Sequence, residues 1–73
     1  MKSNMIPAAG TLADYVNRAN SLAARLMALD YQACRASVVA DRAAVLNGRM
    51  DLSEGIHNVV YFEGVADGAE ARA

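Results

Sequence analysis

Residues 11–47, TLADYVNRANSLAARLMALDYQACRASVVADRAAVLN, decide how this chain folds. The run contains neither glycine nor proline, and Gly10 and Gly48 fence it. Ala, Leu and Arg dominate it, and β-branched residues are few before Val38 and Val39, so it reads as helix. Thr11, three residues before Asp14, has the form of an N-terminal cap whose hydroxyl accepts the Asp14 amide. Asp14 and Arg18 stand four apart with the acid first, the better order for an ion pair along a helix. At the far end, Asn47-Gly48 supplies a residue able to take positive φ just beyond the last apolar position.

Counted in heptads from Leu12, one apolar series is Leu12, Ala19, Leu26, Ala33 and Ala40. The other is Tyr15, Leu22, Leu29, Ala36 and Ala43. Together they form the seam of a helix packed lengthwise on another helix. Beyond Ala33 the seam is alanine alone, which allows close approach but buries little area. The large side chains shift to a second stripe, Tyr31, Cys34, Val38 and Val45, on a different face. Two readings stay open. Either the helix breaks and Asp30 caps a second one, or a single helix of about 55 Å carries two faces. The lack of Gly and Pro tips the expectation toward one long helix, kinked near Asp30.

Outward from this run, residues 47–51 make a turn short enough to return the chain antiparallel. Asp51 starts a second helix over residues 51–63, with Leu52, Ile56, Val59 and Val60 on one face. Residues 58–62, NVVYF, also suit a strand, but no second strand-like run exists to pair with it. Residues 64–73, with Gly64 and Gly68 among small residues, read as a disordered tail, and residues 1–10, with Pro7 and Gly10, as a flexible lead-in. The expected fold is all-α: a helical hairpin of one long helix and a short return helix in a single domain.

Seventy-three residues form one domain at most, and chains this small often rely on self-association. Cys34 is the sole cysteine, which excludes an internal disulfide or a cysteine-based metal cluster. No apolar run follows Met1-Lys2 as in a secretory signal, and charges interrupt every long apolar stretch, so a cytoplasmic protein without a membrane span is expected. Net charge is −1, divided as +2 over residues 11–50 and −4 over residues 51–73, with Lys2 supplying the remaining +1. Nucleic-acid binders usually carry a larger basic excess, so nucleic acid is not the expected partner.

No constellation points to catalysis, and neither a metal nor a cofactor is expected. His57, the only histidine, has no nucleophile or second carboxylate at a helical spacing that would engage it beyond Glu54. Cys34, beside Arg35, sits on an apolar stripe and reads as a small core residue rather than a reactive thiol. Arg18 and Arg25, and again Arg35, Arg42 and Arg49, recur every seven residues as ridges. They suit an acidic partner or, in the alternative reading, a phosphate backbone. Tyr31, Arg35, Val38, Arg42 and Arg49 are the candidate partner-binding residues, because aromatics and arginines anchor interfaces. A return helix of about 20 Å covers only part of the long one. The large-residue seam of Leu12, Tyr15, Ala19, Leu22, Leu26 and Leu29 is therefore expected to pack in the hairpin or at the centre of a homodimer.

Taken whole, the layout of residues 11–47 and 51–63 resembles the small, Ala- and Arg-rich helical accessory proteins of temperate bacteriophages, among them the quorum-sensing anti-activators of pseudomonad phages. The resemblance implies a non-enzymatic, dimeric protein that binds and inhibits one host protein, such as a transcription regulator. An anti-restriction or anti-CRISPR inhibitor would share the same layout. It transfers no functional residue to this chain.

Overall fold

The computed structural model describes residues 7–73, which form three α-helices: α1 (Leu12–Ala28), α2 (Gln32–Leu46) and α3 (Leu52–Arg72). No strand occurs among the described residues, so 58–62 lies in helix. The expected lead-in falls largely outside the described residues. Its end is a turn in which Gly10 has φ 83° and Thr11 Oγ1 donates to the Ala8 carbonyl at 2.7 Å. Thr11 caps α1 as its position implied, accepting from the Asp14 amide at 3.2 Å.

The expected single long helix is instead two helices. Asp30 adopts φ 61°, the left-handed conformation that a short polar side chain tolerates best after glycine. Around it the Tyr31 amide donates to the Leu26 carbonyl at 2.9 Å, and the Asp30 amide to that of Met27 at 3.0 Å. This pattern is a Schellman motif, with Tyr31 and Leu26 in one apolar cluster, the usual companion of that motif. Asp30 therefore ends α1 rather than capping α2, whose N-cap is Tyr31 with no side-chain cap hydrogen bond. The physical reason is the shifted stripe. Val38 and its neighbours can meet the α1 seam only if the chain folds back on itself. Gly48, at φ 81°, ends α2 in the same manner, with Arg49 donating to the Ala44 carbonyl at 2.8 Å.

The return helix does not stop at residue 63, and the expected tail is its second half. Asp51 is its N-cap by backbone conformation but makes no side-chain cap hydrogen bond. Ala66 and Ala69 are buried. Arg18 donates to both Glu63 oxygens, at 3.1 and 2.5 Å, and Arg25 to both Glu70 oxygens, at 3.0 and 2.7 Å, and to Asp67. These bonds hold the distal part of α3 against α1, where Gly64 and Gly68 each cost roughly 1 kcal/mol relative to alanine. A seven-residue step on α1 matches a seven-residue step on α3, so the two helices run parallel. Helix α2 runs antiparallel between them in sequence, with Arg42 near Asn20 and Asp41 near Asn58. The resulting up-down-up arrangement is flat, with Cα extents of 36 × 34 × 15 Å.

The core is the first half of the predicted seam. Tyr15, Ala19, Leu22 and Leu26 of α1 are buried with Val38 of α2 and with Val59 and Ala66 of α3. Each large side chain fully removed from water contributes about 1.5–3 kcal/mol before entropy is counted.

Candidate functional site

With Tyr15, Ala19, Leu22 and Leu26 inside the chain, the α1 seam cannot also be the centre of a homodimer. Leu12 is exposed and Leu29 half-buried at its two ends. Correcting that expectation moves the search to the surfaces of α2 and α3. Val38, a candidate partner residue, is also buried in the core, as the one α2 side chain of the buried cluster that holds Leu22 and Leu26. Tyr31 and Cys34 are half-buried against the same cluster. Four of the five candidate partner residues are therefore at least partly open to a partner, and Val38 is not.

Helix α2 is unusual in burying only Val38 fully across its 15 residues. At 100° per residue the opposite face is Ala36 with Ala33, Ala40 and Ala43, all exposed. It is the alanine half of the predicted seam, now facing outward. Leu46, at the edge of this face rather than on it, is 55 % exposed. Along one flank run Arg35 and Arg42, both half-buried, and Arg49 stands exposed beyond the helix end. Arg42 is braced by Asn20, to whose side-chain oxygen its Nη1 donates. The site is thus a smooth apolar strip beside a short row of cations.

The other ridge is not a free cationic surface. Arg18 also lies 3.6 Å from Asp14, as the sequence spacing implied, but its closer partner is Glu63. The hydrogen bonds it donates to Glu63 push the Arg18 guanidinium further toward its charged form, and those that Arg25 donates to Glu70 and Asp67 do the same for Arg25. In return Arg25 holds the Glu70 carboxyl below the usual range.

Sequence reasoning missed two features. The first is Gly55, buried where α3 crosses α1 and α2. Its proximity to Ile56, on the expected apolar face, was the available signal. The second is the outer face of α3, where Val60 is 51 % and Tyr61 64 % exposed. Tyr61 packs edge-on against Phe62 with ring centroids 5.1 Å apart. His57 is exposed on the same outer side.

Among the described residues, no group of three His, Cys, Asp or Glu side chains is placed to hold a metal ion. No helix among them is long and apolar enough to cross a membrane. No family model, curated protein or solved structure matches the chain.

Proposed function

We propose that the chain is a non-enzymatic protein-binding module that docks on a larger protein through the outer face of α2 and inhibits or modulates it. The observation that carries this reading is the open alanine strip, edged by exposed Leu46, on a helix that buries one residue fully. Alanine lets a partner helix approach closely. Arg35, Arg42 and Arg49 beside the strip favour a partner with carboxylates along its apolar edge. A transcription regulator of a phage's bacterial host is the specific form that the resemblance to phage anti-activators suggests, and a cytoplasmic site of action goes with it. An anti-restriction or anti-CRISPR inhibitor would use the same kind of surface.

Nucleic-acid binding is the alternative. It has fewer cations to draw on, since Arg18 and Arg25 are engaged by Glu63, Asp67 and Glu70. Affinity capture from host lysate, with a nuclease-treated lysate as the control, separates the two. The protein reading expects one stoichiometric protein that stays bound as salt is raised. Nucleic-acid binding through arginines weakens steeply with salt. Recovery of nucleic acid alone would overturn the proposal.

A further inference from the structure

Gly64 and Gly68 lie in mid-helix without an internal reason to be glycine. A Cβ built on Gly64 meets nothing within 4 Å, and one on Gly68 meets only the Arg72 guanidinium at 3.5 Å. Gly55, in contrast, is tightly enclosed. Helical glycines cost stability, so an exposed Gly64 and a half-buried Gly68 that no other element of the chain touches call for something that approaches the backbone from outside.

Their neighbours say what approaches. Opposite the buried side of α3, positions 54, 57, 61, 64, 68 and 71 follow one another at alternating spacings of three and four, which is a second heptad seam. Its N-terminal half is large: Glu54, His57 and Tyr61. Its C-terminal half is small: Gly64, Gly68 and Ala71. Such a seam is complementary to itself when reversed. Placed antiparallel about a two-fold axis between Tyr61 and Gly64, each Tyr61 lies on the other copy's Gly64. His57 then lies on Gly68, and Glu54 on Ala71. The same register brings Glu54 beside Arg72 of the other copy. Neither residue forms an ion pair with any described residue of its own chain. A parallel pair would instead set Tyr61 against Tyr61 and Glu54 against Glu54.

We propose that the outer face of α3 is a self-association surface that joins two copies of this chain antiparallel. The apolar knobs are Tyr61 and, at the edge, Val60, and the holes are the two glycines. This surface lies on a different helix from the α2 strip, so the dimer would present two such strips, and its existence does not depend on the strip's partner.

Sedimentation equilibrium of the full chain tests it. The expected mass is that of two 7.7 kDa chains at micromolar concentration. Gly64→Gln fills the hole on an open helix face and is expected to raise the dissociation constant at least tenfold while leaving helical circular dichroism unchanged. Tyr61→Lys, at a largely exposed position, is expected to do the same. Orientation is read by mixing His57→Cys and Gly68→Cys chains, both carrying Cys34→Ala. The mixture is expected to form a disulfide-linked heterodimer that His57→Cys alone does not form. A one-chain mass for the wild type, which would leave the face to another protein, overturns the proposal. So does a two-chain mass retained by both Gly64→Gln and Tyr61→Lys, and a cross-link formed by His57→Cys alone overturns the antiparallel register.

Discussion

Gly55 lies directly against the ring of Tyr15: a Cβ added to it would stand 3.0 Å from the ring Cζ and 2.7 Å from Cγ2 of Val45. All three helices meet at this point. Gly55→Ala improves helix propensity by about 1 kcal/mol, yet overpacking of this kind costs typically 1–3 kcal/mol. Because the Tyr15 side is a ring locked in the core, the steric cost is expected to win. The urea midpoint should fall, and a rise would show that the crossing is looser than described.

Tyr15 makes a second prediction. Its side chain is fully buried, and its hydroxyl has no hydrogen-bond partner among the described residues. An unsatisfied buried hydroxyl costs about 1–3 kcal/mol. Tyr15→Phe should therefore be neutral or stabilising in urea melts, whereas a loss above about 1 kcal/mol would mean that the hydroxyl is satisfied.

Burial first, and Asp41 second, push the Tyr15 phenol above its ordinary value. The unfolded chain then releases this proton at lower pH than the folded one. The contribution is complete below about pH 10 and is lost as pH rises through the folded-state value. Wild type should weaken in alkali more steeply than Tyr15→Phe. Equal slopes would contradict the raised phenol.

Arg25 fastens the end of α3 through Glu70 and Asp67. Arg25→Ala should leave the core intact and lower overall stability only slightly, since such exposed pairs are weak. The local effect is larger: amides of residues 66–72 should exchange faster, and uniform exchange across the chain would argue against this anchoring. The Glu70 carboxyl is held low, so its contribution is present above its unfolded value and disappears as pH falls through the folded one.

Leu26 and Met27 are neighbours with opposite fates. Leu26 is fully buried and Met27 is 58 % exposed. Leu26→Ala should cost about 2–5 kcal/mol, enough to unfold much of so small a domain. Met27→Ala should change stability by no more than about 0.5 kcal/mol. Comparable losses at both positions would place the α1 seam elsewhere.

The caps at Thr11 and Gly48 and the seam from Tyr15 to Leu26 were legible because each rests on local chemistry or on one period. The break at Asp30 was visible as a shift of the large side chains from Leu29 to Tyr31. Asp in the left-handed conformation gives a weaker signal than glycine, so the stop itself was not readable. The second half of α3 was hidden for a different reason. Gly64 and Gly68 speak against helix locally, and what overrides them is tertiary: Arg18 and Arg25 reach residues 42 to 45 positions away. The outward turn of Ala33, Ala36, Ala40 and Ala43 followed from that break, so the site became readable only once the chain was seen to fold back.

The central claim is that the outer face of α2 receives a protein. Ala40 lies in the middle of that face, exposed, and glutamate is an acceptable helix former there, so Ala40→Glu should leave stability within about 0.5 kcal/mol of wild type. The decisive measurement is affinity capture from nuclease-treated host lysate with wild type and Ala40→Glu side by side, both shown by circular dichroism to be equally folded. The account predicts one stoichiometric protein bound by the wild type and lost with Ala40→Glu. The same protein captured equally by both chains would contradict it.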